Sequence, residues 1–397
     1  MRIGLNLLYL IPGEVGGVET YGKELVAALL EVDQENEYVL FLNTSARSII
    51  PAHSPNAKQV IVPIGGRNRY LRYVVEQVWL PQLASRYKLD VLHSLSYVGP
   101  LWCSCPTLVT IHDVNWLAVP ESMRFARRMG LSMISCASAR LSTRVATVSR
   151  FSSGEICRRL GVAPIRLVVI HSGAGSAVET SKSEIAAVKS RYGIRNPYVA
   201  VFGGGYEHKN IPRLVDAFES AFGDTAYELV LIGGLTPKTV ARVSLSSAGG
   251  LADRVVALGH IPKGHVRAVL AGADLFVLPS LYEGFGFPVL EAQGAGVAVV
   301  CSRAAALPEV AGTGAAYFDP ASTSDMASTM KAVAMNVGLR SRYQAQGKDN
   351  VARFSWHTAA REYLAVYRSL AERRRSVSGR VTKAPKPTSM GVGQNVE

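Results

Sequence analysis

The chain has 397 residues, 48% of them apolar, and a formal net charge of +13. This length is sufficient for two hydrophobic cores, and no apolar run approaches the ~18 residues of a membrane-spanning helix. The opening MRIGLNLLYLIPG lacks a basic leader and a small-residue cleavage site, which argues against a secreted protein. The positive charge is compatible with nucleic acid, an anionic membrane or a polyanionic substrate, and composition does not choose among them.

The cysteines are few and scattered. They are Cys103, Cys105, Cys136, Cys157 and Cys301. Only the first two lie close together, and their spacing is not that of a zinc site or a redox pair. We therefore expect reduced thiols, a mature chain that starts at Met1, and a cytoplasmic location.

The N-terminal segment predicts a strand, a glycine turn and a helix. Residues 2–8 form the strand, the loop contains Gly13, Gly16 and Gly17, and apolar residues then recur at helical spacing from Val18. A dinucleotide site would need G-x-G-x-x-G and an acidic residue ~20 positions further on, and both are absent. A nicotinamide-dependent enzyme is therefore disfavoured.

Short apolar runs separated by helical stretches predict an α/β fold throughout. Strands are predicted at residues 38–42, 60–64, 91–94, 108–111, 145–149, 167–170, 198–202, 229–232, 255–258, 275–278 and 297–301. Residues 173–190 are small and polar without clear periodicity. This pattern predicts a first domain at 1–180, a second at 190–355, an amphipathic helix over 356–375 and a disordered basic tail at 376–397.

Residues 274–291 combine a strand, a glycine-rich loop and a helix start. The strand 275–278 ends at Pro279, the loop contains Gly284 and Gly286, and Pro288 occupies a position typical of a first helical turn. Unpaired N–H groups at such a helix start favour an anion such as phosphate.

Two carboxylates, Glu283 and Glu291, flank this predicted anion site with seven residues between them. Carboxylates accept hydrogen bonds from hydroxyls, so the pattern indicates a ligand with central phosphates and polyols at both ends, as in a sugar nucleotide. The alternative is that Glu291 only complements its helix dipole and Glu283 is a solvated turn residue. The neighbouring glycines and aromatic residues favour the binding site.

This stretch resembles the E-x7-E signature of retaining glycosyltransferases of family 4, which have the GT-B fold. The resemblance extends from residue 2 to about residue 370 and includes Gly16-Gly17, His112-Asp113, residues 147–151, Lys209 and Leu307-Pro308-Glu309. It implies two Rossmann-like domains facing a central cleft, with the last helix crossing back to the first domain.

The resemblance also implies roles for individual residues. The catalytic candidates are His112, Lys209 and Glu283, and the donor-binding candidates are Gly16, Gly17, Gly284, Phe285, Gly286, Phe287 and Glu291. Lys209 would neutralise the departing diphosphate, and His112 would contact the donor sugar. The alternatives are a solvated loop lysine and a histidine that only holds two loops together. His171 and Arg150 match cleft positions less directly.

One departure from the family concerns the phosphate site. Many relatives have an arginine near the lysine, where this chain has Gly203-Gly204-Gly205 and His208. We expect Lys209, backbone amides and the helix start to neutralise the phosphates, with His208 as a conditional cation. The chain lacks an Asp-x-Asp pair, so no metal and no cofactor are predicted.

The resulting hypothesis is a retaining enzyme that transfers a hexose to a hydroxyl of a lipid-linked glycan in polysaccharide biosynthesis. The resemblance is greatest to bacterial mannosyltransferases, which makes GDP-mannose the first donor to test. The alternatives are a catalytically silent GT-B scaffold and, less favoured, a nicotinamide-dependent enzyme.

An excess of arginine predicts binding of the first domain to an anionic membrane, on the inner face of the plasma membrane, and not to nucleic acid. The residues concerned are Arg67, Arg69, Arg72, Arg124, Arg127, Arg128, Arg140, Arg144, Arg150, Arg158 and Arg159, together with the basic residues from Arg373 to Lys386. A solvated basic surface is the alternative.

Overall fold

The structure is a computed structural model that describes residues 1–14, 16–47, 55–119, 125–175, 179–204, 206–245 and 252–381. Its first half contains a parallel sheet of seven strands in the order β3-β2-β1-β4-β5-β6-β7. The strands are β1 (Arg2–Asn6), β2 (Glu37–Asn43), β3 (Ala57–Val62), β4 (Val91–Ser94), β5 (Thr107–Thr110), β6 (Arg144–Thr147) and β7 (Leu167–Val169). In this sheet Ile3 pairs with Tyr38 on one side and with Val91 on the other.

The second half contains a parallel sheet of six strands in the order β10-β9-β8-β11-β12-β13. The strands are β8 (Tyr198–Phe202), β9 (Glu228–Ile232), β10 (Val255–Gly259), β11 (Leu275–Leu278), β12 (Val299–Ser302) and β13 (Ala315–Phe318). In each sheet the strands are added first on one side of the initial strand, β1 or β8, and then on its other side. Open parallel sheets bind ligands at the carboxyl ends of the strands beside such a reversal. The predicted pair of Rossmann-like halves is confirmed, and β13 is an edge strand that the sequence analysis did not identify.

Helices cover both faces of each sheet. The first half contains α1 (Gly17–Val32), α2 (Arg69–Arg86), α3 (Asn115–Ala118), α4 (Phe125–Leu141) and α5 (Arg150–Leu160). The second half contains α6 (Lys182–Tyr192), α7 (Ile211–Phe222), α8 (Pro237–Leu245), α9 (Lys263–Ala271), α10 (Phe287–Gly294), α11 (Leu307–Ala311), α12 (Thr323–Met335), α13 (Val337–Val351) and α14 (Trp356–Val381). No helix in the described part of the chain has the length and apolarity needed to cross a bilayer.

Helix α6 begins within residues 173–190, where the sequence has no clear apolar periodicity. Its N-terminus is a capping box, in which the Ser181 hydroxyl accepts the Glu184 N–H and the Glu184 carboxylate accepts the Ser181 N–H. Each interaction satisfies an N–H group that the helix itself leaves unpaired. The S-x-x-E spacing is therefore the sequence pattern that could have predicted the start of this helix, which has little apolar periodicity.

Helix α14 crosses back to the first sheet and packs against α1, as expected from the GT-B resemblance. The hydroxyls of Tyr363 and Tyr21 share a buried hydrogen bond of 2.6 Å, and the Tyr367 hydroxyl lies 2.7 Å from His93 Nδ1. Further along, Arg374 donates to the Leu89 carbonyl at 2.9 Å. The helix includes residues 376–381 of the segment predicted as a tail, and residues 382–397 lie outside the described part.

Candidate functional site

The loop between β11 and α10 lies in the cleft between the two sheets and has the predicted form. Gly286 caps α10 with φ of 112°, and Pro288 lies in the first helical turn. A Cβ at this glycine would lie 2.7 Å from the Leu307 side chain, so the position needs glycine for both conformation and space. The N–H groups of this helix start are thus presented to the cleft.

Lys209 and Glu283 form an ion pair in this cleft, with 2.7 Å between Nζ and Oε1. The Ser280 hydroxyl donates to the same carboxylate oxygen at 2.7 Å. Burial by itself would raise the pKa of Glu283, but Lys209 and Ser280 outweigh burial and hold this pKa below its ordinary value. Two of the catalytic candidates, Lys209 and Glu283, are therefore direct neighbours.

Asn210 holds the Lys209 loop against the neighbouring strand ends. It adopts a left-handed conformation with φ of 58°, and its amide donates to the carbonyls of Pro279 and Pro320 at 3.1 and 2.9 Å. Asparagine tolerates this backbone region better than most residues do, because its short side chain bonds locally. The loop position of the lysine is thus set by buried hydrogen bonds.

His208 does not supply the additional cation that the sequence analysis considered. Its ring is buried and stacks on Tyr206, with 5.5 Å between ring centroids. Burial lowers the pKa of His208, so the imidazole is neutral at neutral pH. Of His208 and Lys209, Lys209 is therefore the residue that supplies the positive charge of this loop.

His112 follows β5 and lies at the bottom of the cleft. Its Nε2–H donates to the Leu95 carbonyl at 3.0 Å, and its ring contacts Tyr21 and Tyr97 edge-on at 4.6 and 5.5 Å. Burial lowers the pKa of His112 to about 4, so the ring is neutral and Nδ1 is the remaining acceptor. The histidine therefore does connect two loops, as in the alternative interpretation, and its contact with the donor sugar stays a prediction.

Asp113 joins this cluster, although it was not among the candidate residues. A Cβ added to Gly284 would lie 2.6 Å from Asp113 Cβ and 2.8 Å from the His112 carbonyl, so this contact between the two halves requires glycine. Burial, together with the charge of Glu283, raises the pKa of Asp113 to about 6. The sequence feature that could have identified Asp113 is its position directly after His112.

The first half of the chain binds the E-x7-E loop through two buried hydroxyls. Ser149 Oγ and Ser152 Oγ donate to the Gly284 carbonyl at 2.7 and 3.0 Å. Ser149 is also the N-cap of α5 and accepts the Ser152 N–H. The start of α5 is therefore attached to the loop that carries Glu283.

Glu309 makes a second connection to the same helix start. Its carboxylate accepts the N–H groups of Arg150 and Phe151 at 2.9 and 3.2 Å, and it lies 2.8 Å from His171 Nε2. Burial would raise the pKa of Glu309, but these hydrogen bonds lower it below its ordinary value. His171 and Arg150 thus lie at the contact between the halves, and Arg150 binds Glu309 through its backbone.

The glycine pair of the first half faces α10 directly. Gly16 precedes α1 with φ of 56°, and a Cβ on Gly17 would lie 3.2 Å from the Phe287 ring. Phe287 stacks on Trp356 with 6.2 Å between ring centroids. Gly16, Gly17 and Phe287 are therefore brought together at one edge of the cleft.

Phe285, one of the donor-binding candidates, has a buried side chain. Its side chain is only 5% exposed and packs among the rings of His171, Phe287 and Phe354. The ring is therefore part of the packing between the two halves. A donor could use the backbone at this position, and the ring itself is covered.

Glu291 is separate from the Lys209–Glu283 pair. Its side chain is exposed to the cleft, but the surrounding protein raises the pKa of Glu291, and the charge of Lys263 at the start of α9 opposes this rise. Lys263, which the sequence analysis did not consider, is therefore close enough for its charge to act on Glu291. The two glutamates thus have different environments, as expected for different parts of one ligand.

In the described part of the chain, no three His, Cys, Asp or Glu side chains form a group that could hold a metal ion. The prediction of metal-independent activity remains a prediction.

Comparison with protein families is consistent with this geometry. Residues 15–174 match the model described as Glycosyltransferase Family 4, and residues 196–336 match the model described as Glycosyl transferases group 1. Together these matches span most of the chain and include both sides of the cleft. The two halves are therefore glycosyltransferase domains of these two kinds. The loop at Glu283 is therefore part of a glycosyltransferase cleft.

Curated relatives of this glycosyltransferase include several bacterial mannosyltransferases. It is 28% identical over 377 residues to O-antigen chain mannosyltransferase B of Escherichia coli, covering 89% of this chain and 96% of that protein. It is also 28% identical over 234 residues to the MMP alpha-(1->4)-mannosyltransferase of Mycolicibacterium hassiacum, covering 58% of this chain and 54% of that protein. Its match to E. coli WbdA spans only 28% of WbdA, at 27% identity over 55% of this chain.

Solved structures confirm the GT-B fold. Sucrose-phosphate synthase from Thermosynechococcus elongatus superposes with a TM-score of 0.76 at 19% identity, over 93% of this chain and 99% of that chain. Anabaena HepE, solved in complex with UDP and glucose, superposes with a TM-score of 0.74 at 18% identity, over 93% of this chain and all of that chain. At these identities the likeness establishes the fold alone.

Proposed function

We propose that this glycosyltransferase is a retaining enzyme that transfers mannose from GDP-mannose to a hydroxyl of a lipid-linked glycan in polysaccharide biosynthesis. The observation that carries the proposal is the Lys209–Glu283 pair, held at the start of α10 between the two halves. An ammonium and unpaired helix amides stabilise the charge that develops on a departing diphosphate. The mannosyltransferase names of the relatives support the choice of sugar.

The chemistry assigned to this site needs no nucleophile from the protein. As the bond between sugar and phosphate breaks, Lys209 transfers its contact from Glu283 to the leaving phosphate. Glu283 is then available to accept a hydrogen bond from a sugar hydroxyl, while His112 contacts the sugar from the opposite half. The leaving phosphate takes the proton of the acceptor hydroxyl on the same face of the sugar, which retains the anomeric configuration.

A panel of nucleotide sugars, incubated without acceptor, tests the proposal. We expect slow hydrolysis of GDP-mannose, faster than that of the other donors, and initial release of the α-anomer in a proton NMR spectrum. Release of the β-anomer would contradict retention, and preference for another donor would contradict the assignment of mannose. Absence of hydrolysis with every donor would favour the silent scaffold.

Glu291→Gln is expected to weaken binding of free GDP by ~10-fold while changing turnover at saturating donor much less. The reason is that we assign Glu291 to the ribose, and a uniform contact of this kind affects binding more than the transition state. Calorimetric titration with GDP measures the effect. Glu372→Gln, an exposed position on α14, is the matched control. Unchanged GDP affinity in Glu291→Gln would contradict the assignment.

We also propose that the first half binds an anionic membrane surface from the cytoplasmic side. Some of the predicted basic charge is compensated, because Arg67 pairs with Glu14, and Arg158 and Arg159 pair with Glu155. Outside the described part lie Arg124, Lys383 and Lys386, together with the side chains of Arg127, Arg375 and Arg380. The remaining charge supports a salt-sensitive attraction to anionic lipid.

A further inference from the structure

Helix α2 exposes an apolar stripe to solvent. Tyr70, Val74 and Val78 recur at every fourth position and are 79%, 57% and 47% exposed, and Leu71 beside them is 43% exposed. Residues four positions apart lie on one face of a helix. Val75, Leu80 and Ala84 of the same helix are buried, so α2 has both buried and exposed apolar residues.

Helix α4 exposes a second stripe of the same kind. Phe125, Met129 and Met133 also recur at every fourth position and are 67%, 45% and 69% exposed. Single exposed apolar residues are ordinary on protein surfaces, but contiguous apolar stripes on two helices are not.

The two helices lie side by side on the face of the first sheet opposite α1 and α14. On one face of the sheet, Phe41 packs in a core with Leu80 of α2, and Val109 packs in a core with Ala139 of α4. Leu108, the strand residue next to Val109, points to the other face and belongs to the core that contains α1 and α14. Strand side chains alternate between the two faces of a sheet.

The loop between β4 and β5 forms hydrogen bonds with both helices and contains an exposed tryptophan. The amide of Gln77 in α2 donates to the Gly99 carbonyl at 3.2 Å, and Ser138 in α4 donates to the same carbonyl at 2.9 Å. Trp102 at the end of this loop is 63% exposed, and Trp79 of α2 is 45% exposed. We call the exposed apolar residues of α2, α4 and this loop the α2/α4 surface.

The charge around this surface is positive. Helix α4 contains no acidic residue, and the acidic residue of α2, Glu76, is 1% exposed. Arg69, Arg86 and Arg140 are exposed on the same two helices. An apolar surface with tryptophan, tyrosine and flanking arginines is the composition that favours the interface of an anionic bilayer, whereas a second copy of the same surface would repeat its positive charge.

The α2/α4 surface adjoins the cleft. The Asn6 amide, at the carboxyl end of β1, donates to buried Glu76 of α2 at 3.2 Å. Just before α2, Arg67 Nε donates to Glu14 at 2.9 Å, next to the glycine loop that precedes α1. A bilayer that contacts α2 would therefore lie beside the first half's side of the cleft, where an acceptor enters.

We infer that the α2/α4 surface inserts its apolar side chains into the interfacial region of an anionic lipid bilayer. This inference rests on the proposed function, since it brings a lipid-linked acceptor to the cleft. Basic charge attracts the protein to the surface, and insertion of aromatic and aliphatic side chains then retains it there. Binding should therefore persist in part at salt concentrations that abolish a purely electrostatic attachment.

Tryptophan fluorescence tests insertion in the full chain. Trp79 and Trp102 are exposed, whereas Trp116 and Trp356 are 1% and 8% exposed. With vesicles of phosphatidylglycerol and brominated phosphatidylcholine, we expect quenching that decreases in both Trp79→Phe and Trp102→Phe. Equal fluorescence with brominated and unbrominated vesicles would overturn the inference.

A charged variant tests the position of the surface. Val78→Glu combined with Met133→Glu is expected to lower affinity for phosphatidylglycerol vesicles by ~10-fold or more, because burial of one such side chain is worth about that factor. Met335→Glu changes an apolar residue that is 46% exposed in the second half, and should bind as the unaltered chain does. A doubly charged variant that binds equally well would overturn the inference.

Two further measurements separate the possible failures. The double variant should retain its thermal unfolding midpoint and its hydrolysis of donor without acceptor, since neither position belongs to the cleft. If donors are not hydrolysed but quenching persists, the proposed function fails and membrane insertion stands. If the unaltered chain sediments as a dimer that the double variant abolishes, a second copy covers the α2/α4 surface and the inference is wrong.

Discussion

Replacing Lys209 with alanine is expected to lower turnover by ~100-fold or more, while the affinity for GDP falls much less. In the proposed mechanism, Lys209 stabilises the developing charge of the leaving phosphate, and one fixed charge contributes about a few kcal/mol in a site shielded from water. The Lys209 side chain is 18% exposed. The burial of His208 strengthens this expectation, because burial is the largest cause of its lowered pKa and persists in the variant, although the smaller effect of the Lys209 charge is lost. Steady-state release of GDP with saturating donor measures the loss.

Lys238→Ala is the matched control for this variant. Lys238 lies in the second half and pairs with Glu207 at 2.6 Å, but its side chain is 71% exposed. Exposed ion pairs contribute only ~0–1 kcal/mol, so turnover should change little.

We also expect the unaltered enzyme to remain active in EDTA. A requirement for Mg²⁺ together with a nearly unchanged Lys209→Ala variant would show that the phosphate site is misplaced.

Glu283→Gln is expected to lower turnover by ~100-fold with little change in GDP affinity, the reverse of the result for Glu291→Gln. A carboxylate at the reacting sugar acts most strongly in the transition state, and the amide accepts a weaker hydrogen bond. The substitution also removes the ion pair with Lys209, whose Nζ lies 2.7 Å from the carboxylate. Some of the loss therefore reflects a displaced lysine.

A double-mutant cycle separates these two contributions. Because Lys209 and Glu283 are in direct contact, the loss in the Lys209→Ala, Glu283→Gln double variant should be much smaller than the product of the two single losses. Turnover of all four proteins is measured with the same donor and acceptor. Multiplicative losses would mean that the two residues act independently, and equal losses of GDP affinity in Glu283→Gln and Glu291→Gln would contradict their separate roles.

Hydrogen bonds and close contacts between the halves restrict the loop that carries Glu283. Gly284 contacts Asp113, its carbonyl accepts two buried hydroxyls, and Glu309 binds the start of α5. Glu283 is adjacent to Gly284, so the position of its carboxylate depends on contacts with the first half. The two halves therefore complete the site together.

The sequence by itself determined the features that depend on local physical rules. Buried parallel strands appear as short apolar runs, glycine marks backbone that other residues cannot adopt, and Pro288 fits the first turn of α10. These rules operate within a few residues along the chain. The two sheets, the E-x7-E loop and the returning helix were accordingly predictable, the last through the family resemblance.

Tertiary structure alone decided which of these residues touch and which surfaces stay uncovered. Lys209 and Glu283 are 74 positions apart, and their contact depends on two strands that become neighbours only in the folded sheet. The same limit applies to the ring of Phe285, which is buried by residues from distant segments. An apolar residue such as Val78 has no local signal that separates core from surface, because burial depends on whether another part of the chain packs over it.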